Sequence, residues 1–388
     1  MSLTAPPLSL YVHMPWCVKK CPYCDFNSHG LRNEPPPYAA YIDHLLADLD
    51  ADRADFAAAL EGRPVISVFF GGGTPSLFAP ELIARLLDGV RERLPLADVA
   101  EITLETNPGT VEHGRFDGYL AAGVNRISFG VQSFDDDKLR RLGRIHSANE
   151  AEAAVKSAQD AGYRNINLDL MYALPQQLLD GALADVERAV ALQPTHISHY
   201  QLTLEPNTVF AANPPPLPDD DHAWAMQEAC EARLAAAGYG QYEISAYAQP
   251  GRRCAHNLNY WQFGDYLGIG AGAHGKLSDA ASGRIHRRWK TRGPRAYMEL
   301  AGGPSRIGGD SVVGAGELPF EYMLNALRLI DGVPMGDFPA RTGLMPETIA
   351  PALAEARRRG WLRDDPQRLH TTASGQRFLN DVIASFLE

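Results

Sequence analysis

The stretch Leu8-Ser9-Leu10-Tyr11-Val12-His13-Met14-Pro15-Trp16-Cys17-Val18-Lys19-Lys20-Cys21-Pro22-Tyr23-Cys24 decides how the rest of the chain is read. Its first part, Leu8–His13, is a short β-rich run. Its second part sets Cys17, Cys21 and Cys24 just past the end of that strand. Pro22 discourages a continuous helix and leaves a loop able to wrap around a metal group. In a barrel of parallel strands the C-terminal strand ends build the reactive face, so the thiols fall where chemistry is expected.

Working outward, the hydrophobic period alternates between strand and helix. Further strands are predicted at Val65–Phe70, Glu101–Glu105, Asn125–Val131, Asn165–Leu170 and His196–Leu202. Helical spacing runs through Tyr38–Leu60, Pro80–Leu94, Val111–Ala122, Asp135–Gly162, Gln177–Leu192 and Asp220–Ala237. Six strand-then-helix units call for a parallel sheet with right-handed crossovers. The near-continuous apolar strands suit a sheet covered on both faces, or a barrel wall. Residues 1–237 form this α/β unit. Residues 238–300 are expected to add strands at Glu243–Tyr247 and Ile285–Trp289, separated by the Gly-rich stretch Gly264–Gly275. Ala301–Gly316 reads as a linker. Residues 317–388 read as helices at Pro319–Ile330 and Pro346–Arg359, a strand pair near Trp361 and Leu369, and a last helix, which resembles a small α+β winged-helix module.

Composition removes several function classes. The chain has 388 residues, 36 Lys+Arg against 47 Asp+Glu, and a formal net charge of −11. This balance disfavours a protein that coats nucleic acid or a membrane surface. The Arg357-Arg358-Arg359 run reads as a solvated helix end. No run approaches the roughly 18 apolar residues of a membrane span, and Met1–Leu8 lacks the pattern of a signal peptide. A cytoplasmic protein is expected. Five cysteines form an odd number in a long chain, which argues against a disulfide framework and for metal or redox chemistry.

Three thiolates can hold three irons of a [4Fe–4S] cube, leaving the fourth iron open to an external ligand. A Cys₃His zinc site using His29 or His13 competes on spacing alone. The other strand ends carry polar groups as well. The second runs into Phe70-Gly71-Gly72-Gly73-Thr74-Pro75, which is no P-loop because no Gly-Lys-Ser/Thr follows. The third ends at Glu105, the fourth leads to Gln132 with Arg144 beyond it, the fifth carries Asp169, and the sixth Tyr200 and Thr203. Polar groups at successive strand ends point to one shared ligand site.

The Cys17/Cys21/Cys24 spacing after a first barrel strand resembles the radical S-adenosylmethionine (SAM) superfamily. The resemblance implies an incomplete, laterally open (β/α)6 barrel. It also implies a cluster whose open iron is chelated by SAM, and reductive cleavage of SAM to a 5′-deoxyadenosyl radical. Together with Tyr11–Cys17, Phe70–Pro75, Arg126-Ile-Ser-Phe-Gly-Val-Gln132 and the Asp169 strand, the chain is similar to the oxygen-independent coproporphyrinogen III oxidase group over nearly its whole length. Carried onto matching positions, the SAM contacts are Tyr11, Gly72, Gly73, Thr74, Glu105, Gln132, Arg144 and Asp169, with Tyr200 and Thr203 beside them.

Two departures separate the chain from the oxidases. They carry a fourth cysteine two residues after the third, where this chain has Phe26, and a longer segment ahead of the first strand. His256-Asn257-Leu258-Asn259-Tyr260-Trp261 resembles the H-N-x-x-Y-W motif of the group's heme-chaperone branch. That branch implies heme as ligand, heme-acceptor proteins as partners, no nucleic acid, and at most peripheral contact with membrane proteins. His256 is the candidate iron ligand, and Tyr260 and Trp261 are candidate stacking surfaces. The competing reading makes His256 and Asn257 hydrogen-bonded structural groups, and Cys254 reads as an inert buried thiol before an axial thiolate. A porphyrin-decarboxylating oxidase and a zinc-bound structural protein stand as the alternatives.

Overall fold

The structure is a computed structural model that describes residues 3–31, 35–109 and 115–387. Six parallel strands follow one another in chain order: β1 (Leu8–Met14), β2 (Val65–Gly72), β3 (Leu96–Thr106), β4 (Arg126–Gln132), β5 (Ile166–Tyr172) and β6 (His196–Gln201). Helices at Tyr38–Asp55, Pro80–Arg93, Phe116–Ala122, Ala148–Asp160, Leu179–Ala191 and Asp220–Ala236 follow them. Six further strands complete one sheet: β7 (Gly240–Glu243), β8 (Ala246–Ala248), β9 (Asp265–Ile269), β10 (His274–Asp279), β11 (Arg284–Lys290) and β12 (Ile307–Val312). The sheet order is β12-β11-β10-β9-β1-β2-β3-β4-β5-β6-β8-β7, and the two edge strands do not pair with each other, so the wall is laterally open.

The two faces of the sheet differ, as strand periodicity requires. Leu10, Val12, Val68, Phe70, Leu104, Ile127, Phe129, Leu168 and Ile197 join the helices in the main core. The alternate positions are mostly polar: Ser9, Ser67, Thr103, Glu105, Ser128, Asn167 and Asp169. The sheet is therefore a barrel wall with a polar interior rather than one packed apolar on both faces.

Three local expectations in the main body need correction, and a fourth lies partly outside the described residues. The Gly-rich stretch taken as a separator contains β9, a buried strand that pairs parallel with β1 and adds a seventh parallel strand. Gly268 is required there, because a Cβ would lie 1.9 Å from the His274 carbonyl oxygen. The linker at 301–316 contains β12, which pairs with β11. The helix expected over Asp135–Gly162 divides into Asp136–Arg141 and Ala148–Asp160, because a capping box of Ser147 and Glu150 starts a new helix. That expected at Val111–Ala122 begins outside the described residues, and its described part is Phe116–Ala122.

The C-terminal segment comprises helices Leu318–Ala326, Asp337–Thr342, Ala350–Arg358, Ala373–Arg377 and Leu379–Ala384, with Val333–Pro334 pairing antiparallel to Arg368–Leu369. Near Trp361 the expected strand is reduced to a single bridge, Leu362 to Thr371. Tyr322, Met323, Phe338, Leu353 and Val382 form a second core that reaches Phe263 and Ile285 of the main body. Arg358 and Arg359 are both ion-paired to Glu355, as a solvated helix end would be. Among the described residues, no helix is long and apolar enough to cross a membrane.

Candidate functional site

The cysteine loop is fixed at its base. Trp16–Cys17 pairs in parallel with His29–Gly30, and the Leu31 N–H donates to the Cys17 carbonyl at 2.8 Å. The glycine loop after β2 crosses the same base: Gly73 N–H donates to Met14 O and Thr74 N–H to Trp16 O, each at 2.7 Å. A Cβ on Gly73 would stand 2.5 Å from Trp16 O and 2.7 Å from Met14 O, so only glycine permits this approach. Cys17, Cys21 and Cys24 all line one cleft of about 440 Å³, together with Gly72, Gly73, Glu105, Gln132, Arg144, Asp169, Tyr200 and Thr203. Every strand-end residue singled out in the sequence except Tyr11 and Thr74 thus borders that cleft. Tyr11 borders adjoining hollows, and Thr74 a smaller one on the other side of Cys21.

Arg144 is the electrostatic centre of the cleft. Its guanidinium donates to Asn107 Oδ1 and Gly130 O at 2.6 Å each, and reaches Cys21 Sγ at 3.7 Å. Its Nε is buried without a partner among the described residues. Asn107 in turn donates to Thr74 Oγ1 at 2.7 Å, tying the glycine loop to Arg144. Sequence reasoning gave Asn107 no role, although its place in the turn after β3 was visible. Gln132 takes a positive φ of 71° and accepts from the Tyr200 hydroxyl at 2.8 Å. Thr203 is exposed and donates to Glu205.

Two carboxyl groups face the cleft with few donors. Among the described residues Glu105 accepts only a 3.3 Å contact from Gly72 N–H, and burial, then the charge of Asp169, pushes its pKa up to about 8. Burial also raises the pKa of Asp169, against hydrogen bonds from Asn167 at 2.8 Å and Ser128 at 3.3 Å. A buried carboxyl short of donors is suited to a cationic or hydroxyl-bearing ligand. Burial raises the Cys17 thiol too, with the hydroxyls of Thr74 and Ser28 acting in the opposite sense.

Among the described residues no three His, Cys, Asp or Glu side chains converge on a single metal ion. His13 is committed at both ring nitrogens, to Tyr11 OH and to Asn27 O at 3.0 Å each. Thiols that share a cleft without meeting at a point fit a cluster, which gives each sulfur its own iron, better than one zinc ion.

Beneath the cleft, the helix Ala255–Trp261 closes the bottom of the barrel. Asn259 Nδ2 donates to Ser9 Oγ at 2.9 Å and to Asp265 O at 2.8 Å, and Ser67 Oγ meets His256 Nδ1 at 2.9 Å. His256 stacks on Phe69 with centroids 4.9 Å apart and faces Tyr260 at 5.0 Å, and Tyr260 lies 4.1 Å from Tyr266. The His256 Nε2 has no hydrogen-bond partner among the described residues. Burial and the nearby Arg126 charge push its pKa down to about 3, so the ring is neutral at pH 7. Trp261 sits under the Arg328 guanidinium at 4.3 Å, and its ring is engaged by the C-terminal segment. Cys254 hydrogen-bonds Glu101 at 3.4 Å, and burial pushes its thiol up to about 12, so it stays protonated.

Two hollows, of about 540 Å³ and about 310 Å³, share Tyr11, Glu105 and Tyr260 as walls and adjoin the cysteine cleft. Phe26, 60% exposed, lines both the larger hollow and the cleft.

Comparison with known proteins places this architecture. Residues 11–188 match the Radical SAM superfamily, and residues 315–378 match the HemN C-terminal domain. The chain is 53% identical to heme chaperone HemW of Escherichia coli (strain K12) over 98% of each chain. It is 49% identical to that of Haemophilus influenzae over 98% of each. With heme chaperone HemW of Bacillus subtilis (strain 168) it shares 32% identity over 98% of this chain and 99% of the relative. Among solved structures, coproporphyrinogen III oxidase (HemN) from Escherichia coli has the same fold, with a TM-score of 0.82 at 23% identity over 99% of this chain and 90% of that one.

Proposed function

The chain belongs to the heme chaperone HemW family, a branch of the radical SAM superfamily, and we propose that it binds heme and passes it to acceptor proteins while holding a [4Fe–4S] cluster and SAM. One observation carries this reading: a cysteine-lined cleft and an aromatic hollow with an unpartnered imidazole nitrogen open side by side on one polar sheet face.

The residues present fit both groups. Cys17, Cys21 and Cys24 would each hold an iron, leaving the fourth for the amino and carboxylate groups of SAM. When bound, this pair supplies one-electron reductive chemistry. The chain's own part is positioning. Glu105 gives up its proton to receive an ammonium group, and Arg144, already braced by Asn107 and Gly130, takes a carboxylate. Asp169 accepts from ribose hydroxyls, the peptide groups of Gly72 and Gly73 let the ligand come close, and Tyr11, Thr74, Gln132, Tyr200 and Thr203 surround it. On the other side, His256 offers a neutral Nε2 to heme iron while Ser67 holds its Nδ1. Phe69, Tyr260 and Tyr266 give the flat ligand an aromatic wall. Phe26 extends that apolar surface where an oxidase has a fourth cysteine.

The partners in this reading are heme and heme-acceptor proteins, reached in the cytoplasm or through peripheral contact with membrane proteins. The test is anaerobic incubation of the reconstituted protein with SAM, a strong reductant and coproporphyrinogen III, following porphyrins and 5′-deoxyadenosine by chromatography. The chaperone reading expects coproporphyrinogen to remain unchanged. Protoporphyrinogen formed in step with 5′-deoxyadenosine would establish the oxidase instead.

A further inference from the structure

Arg126 opens β4 and is only 2% exposed, yet its guanidinium makes no hydrogen bond or ion pair with any described residue, and its Nε is buried without a partner. Buried guanidinium groups in folded proteins are paired, because an isolated one loses hydration without compensation. The nearest acidic candidates do not fill the role. Glu101 acts on Arg126 only at a distance, and its Oε1 accepts from the His256 N–H at 3.2 Å and the Cys254 thiol at 3.4 Å. Asp169 is turned to Asn167 and Ser128.

The guanidinium lines the smaller hollow, whose other walls include Tyr11, Phe69, His256 and Tyr260. A flat fork of N–H donors beside stacked rings matches a planar carboxylate attached to an aromatic ligand.

We propose that Arg126 anchors a carboxylate substituent of the flat ligand whose metal faces His256, which for heme is a propionate. This rests on the heme reading and adds to it the group that fixes the ring's rotation in the pocket. A pocket with one axial ligand and one carboxylate anchor holds the porphyrin in one orientation, whereas axial ligation alone leaves it free to turn about the iron–nitrogen axis.

The test titrates the full-length protein with iron protoporphyrin IX and with its dimethyl ester, following the Soret band. The wild-type protein is expected to bind the ester roughly tenfold or more weakly, as loss of a charge-assisted pair implies. Arg126→Gln is expected to lower affinity for heme to that for the ester, leave ester affinity unchanged, and keep the His256-ligated spectrum; Arg126→Lys restores part of the difference. Equal wild-type affinity for heme and ester overturns this proposal alone, and needs no variant to fold. A preference for heme that survives in Arg126→Gln also overturns it, placing carboxylate recognition elsewhere. No spectral change with either porphyrin overturns both this proposal and the heme reading beneath it.

Discussion

Replacing Gly73 by alanine tests the idea that the glycine loop and the cysteine loop form one preorganised unit. The new methyl carbon would meet Trp16 O at 2.5 Å and Met14 O at 2.7 Å, and both contacts are backbone atoms that cannot rotate away. These oxygens accept the two 2.7 Å bonds from Thr74 and Gly73, so relief of the overlap means parting both bonds. Two lost backbone hydrogen bonds cost about 2 kcal/mol, and overpacking at a tight site adds about 1–3 kcal/mol. A penalty of about 3–5 kcal/mol falls on the segment that positions Cys17. If it is expressed as opening of that loop, the ordered form drops more than about a hundredfold. The assay is iron and sulfide per chain after anaerobic reconstitution at limiting iron, with thermal unfolding alongside. Gly109→Ala, whose methyl would find its nearest atom among the described residues at 3.9 Å, serves as the control and is expected to load normally. Wild-type iron loading and an unchanged Tm in Gly73→Ala would refute the reasoning.

Two further predictions concern the ligand groups. The Glu105 pKa is raised from 4.5 to about 8, so the folded chain binds a proton that the unfolded chain has already released across that window. Stability of the unliganded protein is therefore expected to fall as pH rises from about 4.5 to about 8, and Glu105→Gln to flatten that slope. Tm measured against pH for both proteins checks this, and parallel curves contradict it. Arg144→Gln removes the bonds to Asn107 and Gly130 and the contact with Cys21. It is expected to weaken SAM binding by roughly 10- to 100-fold while leaving most of the iron in place, by equilibrium dialysis and iron analysis. Equal loss of iron and SAM would make Arg144 part of the cluster's support instead.

Much of the sheet was legible because its parallel strands alternate with helices of ordinary length, and each strand carries a strong local pattern. The strand β9 was not, because Gly268 and its neighbours read as breakers. What makes it a strand is the close approach of His274 and pairing with β1, neither of which is local in sequence. The helix break before Ala148 was visible in principle, since Ser147 and Glu150 have capping-box spacing. In the site, the strand-end polar groups stood out against apolar surroundings. The significance of Arg126 did not, because an arginine at the start of a strand ordinarily reaches solvent. Only its burial without a partner marks it. Trp261 lines the hollow beside His256 and Tyr260, and its stacking with Arg328 of the C-terminal segment was not legible because the two lie far apart in sequence.

The most direct measurement is a heme titration of the cluster-loaded protein and of its His256→Ala variant, read in the Soret region. The account predicts saturable binding of one heme per chain with a nitrogen-ligated spectrum, weakened at least roughly tenfold and spectrally altered in the variant. Identical affinity and spectrum in both proteins would contradict the assignment of His256 and with it the heme pocket.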